Sequence, residues 1–208
     1  MVWIKICGLT RWEDAKLAVE YGADALGFIF CPSPRRVSPQ EARVICQKLP
    51  KGVARVGVFQ DQTQEEVQAI AVFCQLDYLQ LHGQEDADYC QFFAPRAIKA
   101  VRVAGPEDLE QIEQWGTKMV LLDTYTPGKA GGTGQVFPWA WLKDNPSKGR
   151  ASGLKIILAG GLNPYNVREA LAQVQPFGVD VASGVESAPG LKDRFKVKAF
   201  MDQVRQSA

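Results

Sequence analysis

The chain has 208 residues, of which 46% are hydrophobic and 23% charged, and its formal net charge is +1. That length suits one hydrophobic core and is short for two independent domains. The near-neutral balance supplies no global field for nucleic acid or an anionic membrane surface, so an anionic ligand must be held by local geometry.

Five cysteines, at positions 7, 31, 46, 74 and 90, include no C-x-x-C pair, and His82 is the only histidine. A structural zinc site is therefore not expected, and unpaired thiols suit a reducing compartment. The opening stretch MVWIKICGLT lacks the long apolar run of a signal peptide, and no apolar run approaches a membrane span. The expectation is a cytoplasmic protein with no metal, no nucleic-acid partner and no membrane partner.

A short apolar, β-branched run followed by a longer amphipathic stretch recurs along the chain. In the first half this predicts strands at 2–6, 25–30, 54–59 and 78–81, followed by helices near 11–21, 39–49, 64–74 and 85–93. In the second half, strands at 97–101, 119–122, 155–158 and 178–181 are followed by helices near 106–115, 138–143, 164–172 and 192–206. Strands alternating with helices imply βαβ units and a parallel sheet. Several of the strands lack a polar face, as expected where helices cover them. Ser38-Pro39, Gly105-Pro106 and Asn163-Pro164 each place a small or polar cap before a proline at a first helical position. No Gly/Ser linker divides the chain, and the stretch 145–153 reads as a surface turn.

Eight βα units can close into a barrel or stay an open, doubly wound sheet. Gly8-Leu9-Thr10 follows the first strand in place of a G-x-G-x-x-G dinucleotide fingerprint, which favours the barrel. The expected fold is α/β, a single (β/α)8 TIM barrel over residues 1–208. In such a barrel, functional residues collect at the C-terminal ends of the strands.

Cys7 ends the first strand. Strand parity puts Trp3, Lys5 and Cys7 on one face and Ile4 and Ile6 on the other, so Lys5 and Cys7 are expected to face the barrel axis. A nearby ammonium would favour the thiolate; the plainer alternative is a small buried cysteine. Cys31, Cys46, Cys74 and Cys90 lack such a place and read as structural. Asp123 ends the sixth strand, where a carboxylate must be hydrogen-bonded, paired or functional. It could equally cap the glycine-rich loop 124–135, a plausible cover over the site. Gln80 and His82 share a face at the end of the fourth strand, His82 as a candidate acid or base or as a structural group. Arg35, beside Arg36, could grip a carboxylate or phosphate. Ala159-Gly160-Gly161-Leu162 and Ala182-Ser183-Gly184-Val185-Glu186 follow the last two strands, where barrels often bind phosphate through backbone N–H groups.

These segments together resemble one family. KICGLT at 5–10, GADALGFIF with SPR at 22–35, VGVF at 56–59 and LQLHG at 79–83 are similar to successive blocks of the phosphoribosylanthranilate isomerases. So are LLDT at 121–124, GGTG at 131–134, LAGGLNPYNV at 158–167, and GVDVASGVE with PGLKD at 178–193. The resemblance runs end to end and implies an Amadori rearrangement of N-(5-phosphoribosyl)anthranilate, in tryptophan biosynthesis, without a cofactor. It implies Cys7 as general base, Asp123 as general acid and Arg35 as the anthranilate anchor. Lys5, Gln80, His82 and Asp180 are expected to complete the substrate site, and Gly160, Gly161, Ser183 and Gly184 to hold the phosphate. The acid role would require burial to raise the Asp123 pKa. The partner is then a small molecule, and the protein a monomer or homodimer. Two other readings stay open. A pentose-phosphate epimerase would normally need metal-binding histidines, against a single histidine here. A non-catalytic phosphometabolite-binding barrel would have no use for both Cys7 and Asp123.

Overall fold

The computed structural model describes residues 1–110, 112–124, 136–142 and 153–207. Eight parallel strands form β1 (Trp3–Cys7), β2 (Ala25–Ile29), β3 (Ala54–Phe59), β4 (Tyr78–Leu81), β5 (Ala97–Val103), β6 (Met119–Thr124), β7 (Lys155–Leu158) and β8 (Gly178–Val181). They close into a barrel in chain order, and β8 pairs with β1 through Trp3–Gly178, Ile4–Val179, Lys5–Asp180 and Ile6–Val181. The α-helices are α1 (Trp12–Glu20), α2 (Pro39–Cys46), α3 (Gln64–Cys74), α4 (Ala87–Phe92), α5 (Val167–Val174) and α6 (Arg194–Gln206).

The alternating direction of side chains along each strand divides the apolar residues into two cores. Ile4, Ile6, Phe28, Phe59, Leu79 and Leu81 point outward and are buried with the apolar faces of the helices. Inside the barrel, Ala25, Val56, Ile98, Leu121 and Ile157 pack as a separate cluster, closed from below by Trp3, Tyr78 and Phe177. Each fully buried large aliphatic side chain contributes roughly 1.5–3 kcal/mol over exposure, so both layers must stay in register for the barrel to hold.

Local chemistry sets where several helices begin. Ser38 and Glu41 form a reciprocal capping box on α2, and Thr63 and Glu66 form one on α3. Three of the expected helices differ. The stretch near 106–115 folds as a 3-10 turn over Pro106–Leu109, because like charges at Glu107/Glu110 and Glu110/Glu113 face each other at helical i,i+3 spacing. Asn163-Pro164 does not start α5. Asn163 Oδ1 accepts from Tyr165 N and Asn166 Oδ1 accepts from Asn163 N, side-chain turns that compete with the helix until Val167. Trp139–Leu142 is also a 3-10 segment. The expected turn at 145–153, Gly153 apart, and the GGTG block at 131–134 lie outside the described residues.

Beyond β8, a short antiparallel hairpin of β9 (Glu186–Ala188) and β10 (Leu191–Lys192) turns at Pro189-Gly190, with Gly190 at φ +81°. Near the end of β4, the buried Lys99 Nζ lies 2.7 Å from Glu85 Oε2 and donates to the Gly83 carbonyl at 2.8 Å. Glu85 in turn accepts from the backbone N–H groups of Gly83 and Asp61. This pair ties the loops after β3 and β4 to β5. Lys99→Met leaves Glu85 charged and unpaired, and is expected to lower unfolding free energy by about 3–5 kcal/mol in urea titration. Adding Glu85→Leu should recover much of that loss, since the uncompensated charge is its cause.

Candidate active site

At the C-terminal mouth of the barrel a cavity is lined by residues from every strand end or the loops that follow. They include Cys7, Arg35, Gln80, His82, Arg102, Asp123 and Asp180, with Gly160, Gly161 and Ser183 on one side. The expectations at the ends of β1, β4, β6, β7 and β8 therefore converge on one place. Two expected residues do not line it. Lys5 is wholly buried beneath Cys7, and Gly184 packs beneath the loop after β7.

Lys5 Nζ donates to Asp180 Oδ1 at 2.9 Å. Burial works against the ammonium, but Asp180, with Cys7 beside it, outweighs burial and the Lys5 pKa is raised. Gly27, paired with Cys7 across β1 and β2, makes room for both groups. A Cβ there would lie 2.6 Å from Cys7 Sγ and 3.0 Å from Lys5 Nζ. Ammonium and sulfur thus share one small space. Their proximity does not lower the thiol pKa as expected from sequence. Burial pushes it above its ordinary value, Lys5 pulls it down only in part, and Asp180 adds to the rise.

Cys46, Cys74 and Cys90 are buried away from the mouth, their thiols pushed by burial to about 12, about 11 and about 11. Cys31, expected to be structural, is also buried but lines the cavity in the loop after β2.

Arg35 turns inward while Arg36 is exposed. Arg35 Nε donates to Glu186 Oε1 and Oε2 at 2.9 and 3.0 Å, and its Nη2 to Oε2 at 2.7 Å. Lys192 Nζ binds Glu186 Oε1 at 2.9 Å and also donates to the carbonyls of Cys7 and Ala182. Burial opposes ionisation of Glu186, but Arg35 and Lys192 outweigh it and hold the carboxyl below its usual range. Gly8, at φ +75°, gives Arg35 its path, since a Cβ would lie 2.6 Å from Arg35 Cδ. Sequence reasoning places Glu186 only at the end of the candidate phosphate segment after β8, whereas here it binds Arg35, and assigns no role to Lys192; the available signal was the Pro189-Gly190 turn between them, a hairpin mark. It also missed Arg102, whose Nη2 donates to the His82 carbonyl at 3.3 Å. The expected end of β5 at 101 hid it, although Arg102 shares strand parity with the inward-facing Ala100.

His82 Nε2 lies 3.2 Å from Asp123 Oδ2, and His82 Nδ1 lies 3.0 Å from Gln80 Nε2. The Asp123 side chain keeps 16% of its surface exposed. Thr124 Oγ1 donates to the Gly160 carbonyl at 3.3 Å and accepts from Phe137 N at 3.1 Å. Apart from Thr124, the expected cover at 124–135 lies outside the described residues. Gly160 and Gly161 adopt φ +76° and +74°, and a side chain at Gly160 would collide with Thr124. A side chain at Gly184 would collide with the Leu162 carbonyl, so this glycine brings the two loops together.

The arrangement offers a thiol beside an ammonium on β1, a carboxyl on β6, a tethered guanidinium and a glycine-lined wall for an anion. Among the described residues no group of three or more His, Cys, Asp or Glu is placed to hold a metal ion, and no helix is long and apolar enough to cross a membrane.

Residues 4–203 match the family model of N-(5'phosphoribosyl)anthranilate (PRA) isomerase. The N-(5'-phosphoribosyl)anthranilate isomerase of Desulforudis audaxviator is 46% identical over 209 residues, covering 100% of both chains. The crystal structure of phosphoribosyl anthranilate isomerase from Thermotoga maritima superposes with a TM-score of 0.91 at 44% identity, covering 99% of this chain and 100% of that one. Another, solved in complex with reduced 1-(o-carboxyphenylamino)-1-deoxyribulose 5-phosphate, gives a TM-score of 0.87 at 41% identity, covering 99% and 100%. With fold, strand-end residues and full-length similarity in agreement, the chain belongs to the N-(5'-phosphoribosyl)anthranilate isomerase family.

Proposed function

We propose that this chain is an aldose–ketose isomerase of tryptophan biosynthesis. It converts N-(5'-phosphoribosyl)anthranilate to 1-(2-carboxyphenylamino)-1-deoxyribulose 5-phosphate without a cofactor. The observation that carries the division of roles is the placement of Cys7 and Asp123 on β1 and β6 around one cavity.

Asp123 protonates the furanose ring oxygen as the C1′–O bond breaks and the nitrogen lone pair closes a C1′=N bond. The C2′ proton is now acidic, and the Cys7 thiolate removes it, leaving an enolamine that tautomerises to the ketone. The glycines after β7 and Ser183 after β8 hold the 5′-phosphate, binding energy gained away from the reacting carbons. Glu186 occupies Nε and Nη2 of Arg35, leaving Nη1 for the anthranilate carboxylate. Lys5, Gln80, His82 and Asp180 support these groups from below and beside them. Because the acid, base, anchor and phosphate groups come from one chain, a monomer or a homodimer would serve the same chemistry.

Cys7→Ser should keep the fold and substrate affinity while kcat falls about 10²–10⁴-fold, since a hydroxyl is a much weaker base. The base acts deprotonated and its pKa is raised by burial, so kcat/KM of the wild type should climb through neutral pH toward an alkaline limb. Lys5→Met, which removes the opposing ammonium, should move that limb to still higher pH. Near-wild-type turnover in Cys7→Ser takes Cys7 out of the mechanism.

Arg35→Ala should raise KM at least about tenfold through loss of a charged hydrogen bond, whereas Arg36→Ala on the exposed side should change little. Steady-state kinetics that show the reverse would place the anchor at Arg36.

Asp123→Asn keeps size and much of the hydrogen bonding but carries no transferable proton. Its kcat should fall at least about a hundredfold with KM little changed. A variant with nearly intact kcat would show that Asp123 only caps the loop.

A further inference from the structure

Gln80, His82 and Asp123 form a line of side chains along the cavity wall. The Gln80 amide nitrogen lies 3.0 Å from His82 Nδ1, and Nε2 of the same ring lies 3.2 Å from Asp123 Oδ2. The ring is held from its backbone on both sides. His82 N donates to the Phe59 carbonyl at 2.8 Å, and the His82 carbonyl accepts from Arg102 Nη2 at 3.3 Å. Gly83, the next residue, is fastened by the buried Glu85–Lys99 pair. The imidazole therefore has two fixed neighbours, an amide and a carboxyl, one at each nitrogen.

An amide N–H at Nδ1 requires that nitrogen to be a bare acceptor, which places the ring proton on Nε2. Nε2–H then donates to Asp123 Oδ2. The carbonyl oxygen of a protonated carboxyl is a much better acceptor than its hydroxyl oxygen, so an Oδ2 that accepts from Nε2–H favours the acid proton on Oδ1. A second observation marks the choice: Gln80 is 2% exposed, and its Oε1 is buried without a hydrogen-bond partner among the described residues. An orphaned carbonyl in a buried amide is costly and calls for a reason. Turning the amide over would give Oε1 a partner in Nδ1–H, but it would leave Nε2 bare. Asp123 would then point its proton along Oδ2–H···Nε2, toward the ring. The two amide orientations thus aim the acid proton at different targets.

We infer that Gln80 selects the Nε2–H tautomer of His82, and that His82 is in turn the positioning residue that keeps the Asp123 proton on Oδ1 for delivery to the substrate. This rests on the reading of Asp123 as the general acid. Donation then runs from Oδ1 to the ring oxygen, and the carboxylate left behind keeps its bond from Nε2–H, so no proton leaves the imidazole.

His82 is the only histidine in the chain, so in nitrogen-15-labelled protein both imidazole resonances belong to it. At the pH of the assay, wild-type protein should show a protonated Nε2 and a bare Nδ1. Gln80→Glu puts a carboxylate against Nδ1, which should draw a proton there and lower kcat at least about tenfold, with KM within about twofold. His82→Gln, whose amide N–H can reach Asp123, should recover a substantial part of the kcat lost in His82→Leu. A protonated Nδ1 in the wild type, in a neutral or a cationic ring, overturns the inference whether or not the variants fold. So does undiminished kcat in Gln80→Glu, or equal kcat in His82→Gln and His82→Leu. Intact turnover in Asp123→Asn would instead overturn the acid assignment beneath it, a failure distinguishable because the wild-type spectrum reports the tautomer on its own.

Discussion

The bond between Lys5 and Asp180 is the interaction on which the most other features depend. The two residues are register partners on β1 and β8, so their ion pair spans the seam where the last strand meets the first. A lone ammonium or carboxylate in the barrel interior would be expensive, and each is tolerated there because the other is present. Closure of the barrel and charge compensation are thus one condition. The same ammonium lies against the Cys7 sulfur in the space that Gly27 leaves open, so the pair that spans the seam also sets the electrostatic surroundings of the thiol.

The site repeats this arrangement. Each group assigned to chemistry is held by a second polar group anchored in a different element. Arg35, from the loop after β2, is clamped by Glu186 from the hairpin after β8, and Lys192 ties that hairpin to the carbonyl of Cys7. Asp123 on β6 meets His82 at the end of β4, where Glu85 and Lys99 fasten the adjoining loop. Thr124 joins β6 to the glycine loop after β7. Buried networks of this kind resist movement because any partial opening strands a polar group, and that rigidity holds Asp123, Cys7 and Arg35 around one cavity.

Burial has a divided effect on Cys7 in its proposed role as base. It strengthens the thiolate once formed, since a base of higher pKa holds a proton more tightly, but it reduces the fraction ionised near neutrality. Lys5 offsets part of that loss and Asp180 adds to it. The interior is apolar near the bottom, with Ile98, Leu121 and Ile157, and polar at the mouth. The polar groups of the mouth thus stand on a packed hydrophobic floor.

By itself the sequence determined the eight barrel strands, their closure, the inward direction of Lys5 and Cys7, and most of the strand ends that meet at the mouth. Those follow from period-2 parity and from the rule that covered strands bury both faces, which a local pattern records. The resemblance named Cys7, Asp123 and Arg35, and tertiary structure alone decided what touches them. Glu186 and Lys192 lie more than 150 residues from Arg35 and Cys7 in the chain, and no local spacing encodes a contact made only when β8 closes on β1. The placement of Lys5 beneath the cavity, of Cys31 on its wall and of Gly184 under Leu162 came the same way. So did the direction of the Cys7 shift, because a neighbouring charge can be inferred from sequence parity, whereas the depth of burial that outweighs it is a property of the closed barrel.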